Sequence, residues 1–84
     1  MEKVILLVSK YSSQSSSILR IINTAKVDFS FIDILYIDNY LVRKSIINHV
    51  EFDIKVVPTI LVFSTNILKY EGVDAFKYIN EHVI

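Results

Sequence analysis

The sequence contains no cysteine and no tryptophan, and only one glycine and one proline in 84 residues. Without cysteine there is neither a disulfide nor a thiolate metal site, so the apolar core must hold the chain together unaided. That is a demanding condition, because a domain this small buries only about 60% of the surface its unfolded chain exposes. A single glycine rules out a glycine-rich phosphate loop, whose backbone approaches an anion closely at several positions. An excess of charge is also missing: nine basic and nine acidic side chains cancel to a formal net charge of +0. Nucleic-acid binders ordinarily carry a basic excess or stripe, so no nucleic-acid partner is expected. The longest uncharged stretch, Val56 to Leu68, is interrupted by Pro58 and by Ser64-Thr65-Asn66. It falls short of the roughly 20 residues that cross a bilayer, so no membrane contact is expected. Glu2-Lys3 leads into a short apolar run with no small-residue cleavage site after it, which makes a cytoplasmic location the default expectation. His, Asp and Glu do not fall at metal-ligand spacing, and neither a metal nor a cofactor is expected.

What is present is aliphatic. The chain is 52% hydrophobic, with 14 Ile, 10 Val and 7 Leu, enough for one core and one domain over residues 1–84. Val4-Ile5-Leu6-Leu7-Val8 is a continuous apolar run, the pattern of a strand covered on both faces. Ser9 to Ser17 holds six serines with Lys10, Tyr11 and Gln14, a loop that enters a helix and supplies its cap. Phosphorylation is the other use of such a cluster. Ile18, Ile21, Ile22 and Ala25 follow at helical spacing and predict a helix from about Ser13 to Ala25. Asp28 to Ile37 reads as a second strand, ending in the turn or cap residues Asp38-Asn39, and Tyr40 to Val50 as a second helix. Asp33 and Asp38 form no acid–base pair in this reading: one faces outward from the sheet and the other caps the second helix. Thr59 to Phe63 and Ile67 to Tyr70, separated by Ser64-Thr65-Asn66, predict an antiparallel hairpin. After Gly72, Asp74 is placed to cap a last helix over Ala75 to Val83. The order β-α-β-α-β-β-α makes an α/β fold, and strands separated by helices imply parallel pairing. The second strand carries little charge, and as an edge strand it would leave Phe29, Phe31, Ile32 and Ile34 as a candidate interface, since unpaired apolar edges invite strand addition.

The stretch Phe52-Asp53-Ile54-Lys55-Val56-Val57-Pro58-Thr59-Ile60-Leu61-Val62-Phe63, with Leu35-Tyr36-Ile37-Asp38 before it, resembles the thioredoxin/glutaredoxin family. The resemblance runs from Val4 to Val83 and implies a minimal thioredoxin-like fold, a mixed four-stranded sheet with helices on both faces. It also implies that Val57–Pro58 is cis. In the family, apolar helix positions lie three, six, seven and ten residues after the second active-site cysteine. Counting back from Ile18, Ile21, Ile22 and Ala25 places that cysteine at Ser15 and the first at Ser12. The redox motif thus appears as Ser12-Ser13-Gln14-Ser15, with Tyr11 where thioredoxins carry tryptophan. Leu6 stands where they keep a buried acid.

Thiol–disulfide exchange requires a thiolate, and a serine hydroxyl becomes nucleophilic only beside a base. His49 and His82, the two histidines, fall away from this loop in such a fold. What the family retains without cysteine is a backbone site: the residue before the cis-proline pairs with an extended peptide or with glutathione. Here that site would comprise Tyr11, Val57, Pro58, Gly72 and Asp74, although the family's paired glycines appear as Glu71-Gly72. The resemblance therefore implies a redox-inactive domain that binds a protein partner or another copy of itself. Heavy use of Ile, Asn, Lys, Tyr and Phe is that of an AT-rich genome, and with the resemblance it makes a virion component of a large DNA virus one expectation. The alternatives are an engineered cysteine-to-serine form of a glutaredoxin-like oxidoreductase and a peptide- or glutathione-binding module.

Overall fold

The computed structural model describes residues 3–47 and 56–82. In chain order these form β1 (Lys3–Val8), α1 (Ser13–Thr24), β2 (Ile32–Tyr36), α2 (Tyr40–Ile47), β3 (Thr59–Phe63), β4 (Ile67–Glu71) and α3 (Val73–Glu81). The strands make one mixed sheet in the order β2-β1-β3-β4. β1 runs parallel to β2 and antiparallel to β3, and β3 runs antiparallel to β4. The two most apolar runs thus occupy the two central positions, where both faces of a strand must be covered. Parallel pairing, inferred from helices between strands, holds for β1 and β2 only. β3 lies across β1 from β2 and is reversed relative to both.

The pleat sorts the core. Val4, Leu6 and Val8 point to one face, with Ile32 from β2 and Ile60 and Val62 from β3. α1 brings Ile18 and α3 brings Ala75 and Ile79 onto this same face, and Phe29 closes it near the start of β2. Leu6, Val8, Ile18, Ile60, Ala75 and Ile79 are all completely removed from solvent. Each large aliphatic side chain so buried contributes about 1.5–3 kcal/mol. Leu7, Thr59 and Leu61, of opposite parity, are buried on the other face of the sheet. No helix among the described residues is long and apolar enough to cross a membrane.

Element boundaries move where local hydrogen bonding wins. The second strand begins at Ile32, not Asp28, because the Asp28 carboxylate accepts the Ser30 N–H at 2.9 Å and the Phe29 carbonyl accepts the Ile32 N–H at 3.0 Å. That turn takes the segment out of the ladder, as short polar side chains commonly do. α1 stops at Thr24, with Ala25 as its C-cap. α2 begins at Tyr40 as expected, and its expected continuation to Val50 lies outside the described residues, as do His49, Val83 and the Phe52-to-Lys55 part of the family-like stretch. α3 starts at Val73, two residues earlier than its periodicity predicts. Gly72 is its N-cap and Asp74 sits inside the first turn, where its charge suits the helix dipole. Asp74 is therefore not the cap. Val57–Pro58 is cis, as the sequence match implies.

Two measurements check this account. Leu6→Ala should cost about 2–5 kcal/mol in urea unfolding, the range for emptying a core leucine site. Leu6→Asp, which buries a carboxylate in the core, should unfold the chain, because the total stability is only about 4–13 kcal/mol for this length. Separately, Asp28 lies below its ordinary pKa of 3.8, held there first by the backbone N–H of Ser30 and then by its hydroxyl. The folded value is the lower one, so the turn's contribution is complete above 3.8 and fades only as the pH falls through the folded value. An NMR titration should show the Asp28 midpoint below 3.8.

Candidate functional site

The strand register gathers four chain segments at one end of the sheet. β1 and β2 are parallel, so Val8 and Tyr36 end side by side. β3 starts at that same end, since Thr59 faces Leu7, and β4 finishes there, since Glu71 faces Thr59. The loop from Ser9 to Ser12, the turn at Asp38-Asn39, the turn from Val56 to Pro58, and Gly72 therefore form one cluster. Tyr11, Ser12, Ser15, Val57, Pro58, Gly72 and Asp74, scattered along the sequence, all belong to this end of the fold.

Both serines that the resemblance sets at the cysteine positions are committed to backbone. Ser12 is the N-cap of α1, and its Oγ accepts the Ser15 N–H at 3.1 Å. Such a cap contributes about 0.5–2 kcal/mol. Ser15 is completely buried, and its Oγ accepts the Ser9 N–H at 3.2 Å. Among the described residues neither hydroxyl is bonded to a carboxylate or an imidazole. His82 stands at the other end of α3, its ring tilted against Tyr78 at 4.6 Å and Phe31 at 5.7 Å between centroids, with Nδ1 2.8 Å from the Tyr78 carbonyl. Proton abstraction from Ser12 or Ser15 by His82 is excluded by this geometry. Among the described residues no group of three or more His, Asp or Glu is arranged to hold a metal ion.

The residue that organises the loop is Asp38. One carboxylate oxygen accepts the Ser9 hydroxyl and the other accepts the Lys10 N–H, each at 2.8 Å. Ser9 Oγ in turn accepts the Tyr11 N–H at 3.2 Å. Asp38 thus clips the β1–α1 loop to the end of β2, and the cap of α2 is Asn39, whose Oδ1 accepts the Leu41 and Val42 N–H groups at 2.9 and 3.4 Å. The expectation that Asp38 caps α2 is corrected accordingly: Asn39 carries that role, and Asp38 is drawn across by the parallel β1–β2 register. Nothing in the local sequence around Asp38 marks this. A shallow, open depression of about 420 Å³ lies beside the clip, lined by Lys10, Tyr36, Asp38 and Asn39.

The proline turn is the second half of the site. Pro58 is buried, and its carbonyl accepts the Gly72 N–H at 2.9 Å. Thr59 Oγ1 donates to the Val56 carbonyl at 2.6 Å. Val57 is half-buried, and among the described residues no hydrogen bond reaches its N–H or its C=O. Gly72 has φ 55 and ψ −116, a conformation open to glycine alone at low cost, and a Cβ there would meet nothing within 4 Å. Glycine at 72 is thus a backbone requirement and not a matter of space. Tyr11 is 83% exposed, with the Lys10 ammonium 5.3 Å from its ring centre.

The expected interface residues divide into two pairs. Phe29 and Ile32 are core side chains, each only 7% exposed, and offer a partner no side-chain surface. Phe31 and Ile34 are 46% and 38% exposed, and Tyr36 joins them at 43%. β2 is an outer strand of the sheet.

No family model and no curated protein matches the chain. A solved structure described as that of a malarial protein is similar over 100% of this chain and 99% of that one, at 16% identity and a TM-score of 0.48. A likeness of that degree adds nothing to the reading of the site.

Removing the Asp38 clip tests the site's architecture. Asp38→Ala should lower stability by about 1.5–3 kcal/mol, the range for hydrogen bonds to a charged acceptor. It should also accelerate amide exchange at Lys10 while leaving the Leu41 and Val42 amides, held by Asn39, as they are.

Proposed function

We propose that the chain is a redox-inactive thioredoxin-like domain that works by binding another polypeptide. The observation that carries this reading is what the two motif serines do: Ser12 and Ser15 spend their oxygens on backbone N–H donors. Support for the thioredoxin-like topology comes from the sheet order β2-β1-β3-β4. It comes also from burial of Leu7, Thr59 and Leu61 on the face away from α1 and α3, which fits helices on both faces. A protein partner or a second copy fits the balanced charge, which favours neither nucleic acid nor an anionic surface. A cytoplasmic or virion location, and a large DNA virus as source, belong to the same proposal and rest on the resemblance and the AT-rich composition.

A peptide-binding reading of the proline turn has its own support. Val57 presents both backbone groups without a partner among the described residues, at the same end of the sheet as the exposed ring of Tyr11. An extended segment that paired with Val57 would satisfy both groups at once, the strand-addition mode of peptide recognition.

The test is enzymatic. Purified protein should show no disulfide reduction with glutathione or with a thioredoxin reductase as electron source. Ser12→Cys combined with Ser15→Cys should recover weak exchange at most, because Leu6 supplies no proton relay and Ser15 is buried. Turnover by the unaltered chain would overturn the proposal.

A further inference from the structure

β2 leaves a particular set of backbone groups unused. The Ile37 N–H donates to the Val8 carbonyl at 2.9 Å, so residue 37 faces β1. Alternation along the strand then turns Asp33 and Leu35 toward β1 and turns Ile32, Ile34 and Tyr36 outward. Two of the outward groups are already taken: Ile32 N–H by the Phe29 carbonyl at 3.0 Å, and Tyr36 C=O by the Asn39 N–H at 3.1 Å. Among the described residues no hydrogen bond reaches the Ile32 C=O, the Ile34 N–H and C=O, or the Tyr36 N–H.

This set is complementary to itself. If a second β2 is laid antiparallel about a two-fold axis through Ile34, each Ile34 N–H meets the partner's Ile34 C=O. Each Tyr36 N–H meets the partner's Ile32 C=O. The two groups that would otherwise face each other, Ile32 N–H and Tyr36 C=O, are the two already bonded within the chain. Side chains agree with this register. Ile34 lies opposite Ile34, and Ile32 opposite Tyr36, on the apolar face. Asp33, the only charge in the strand, lies opposite Leu35 and not opposite itself, so no like-charge pair forms. The chain's net charge of +0 adds no repulsion between copies.

We propose that two copies of this chain associate through antiparallel β2–β2 pairing centred on Ile34, joining two four-stranded sheets into one continuous sheet. This rests on the reading of the chain as a binding domain and names its partner as itself. The pairing explains how an apolar edge with one charge is protected from indiscriminate strand addition.

Sedimentation equilibrium between micromolar and millimolar concentration should show a monomer passing to a dimer. Ile34→Pro should abolish the dimer and leave the circular dichroism spectrum unchanged, because the lost N–H has no partner within the chain and edge strands tolerate proline there. Since the chain has no cysteine, Ile34→Cys provides a second readout. Residues facing each other as a hydrogen-bonded antiparallel pair lie about 5.5 Å apart at Cα, within disulfide reach. Under mild oxidation Ile34→Cys should give a covalent dimer, and Asp33→Cys, two residues out of register with itself, should not. A wild-type chain that stays monomeric throughout, or equal cross-linking of the two cysteine variants, would overturn the pairing. A dimer that persists in folded Ile34→Pro would also overturn it while leaving the binding-domain reading intact. Redox turnover by the wild-type chain would overturn that reading and leave the edge geometry standing.

Discussion

β1 is the constraint from which the rest of the molecule follows. It is bonded on both sides, parallel to β2 and antiparallel to β3, and three of its side chains, Leu6, Leu7 and Val8, are wholly removed from water on the two faces. A strand so placed admits one register, because a slip by one residue would exchange the residues covered by α1 and α3 for those of opposite parity. The register in turn decides which loops meet. Ser9 emerges next to the end of β2, within reach of Asp38, and Thr59 starts β3 beside Leu7. The Asp38 clip, the α1 cap at Ser12 and the proline turn are consequences of that one strand's position.

The same register gives the serines of the β1–α1 segment their structural work. In the site formed here, the hydroxyl of Ser12 caps a helix and that of Ser15 satisfies a loop amide in a buried position. Both tasks use an oxygen acceptor and neither uses nucleophilicity. Leu6, where the family resemblance implies an acid, belongs to the core with Ile18 and Ile60. A buried acid at this position would carry a desolvation cost that leucine does not. On the proposed reading, what this end of the fold offers a partner is backbone: among the described residues, the unpaired groups of Val57 and the outward groups of β2.

Much of the architecture is readable from residue pattern. The run from Val4 to Val8, the helical spacing of Ile18, Ile21 and Ile22, and the polar break at Ser64-Thr65-Asn66 each mark one element, and each element is present. What escapes the pattern depends on partners distant in sequence or on competing local bonds. Phe29 and Phe31 look alike in a β-rich run, yet the Asp28–Ser30 turn sends Phe29 into the core and leaves Phe31 exposed. Asp38 reads as a cap because a helix follows it, and only the neighbouring parallel strand reveals that it clips Ser9 and Lys10 instead. Asp74 misleads in the same way, since Gly72 caps α3 and leaves Asp74 inside its first turn. The reversed direction of β3 follows from pairing across β1, which no local pattern encodes.

The central claim is that this chain acts through unpaired backbone and not through side-chain chemistry. Residue-resolved amide exchange on dilute and concentrated samples measures this most directly. The account predicts slow exchange at Lys10 and Ser15 in both, from their bonds to Asp38 and Ser12. It predicts fast exchange at Ile34 and Tyr36 in the dilute sample and protection of both in the concentrated one. Exchange at Ile34 and Tyr36 that is slow at dilution, or that does not change with concentration, would contradict it.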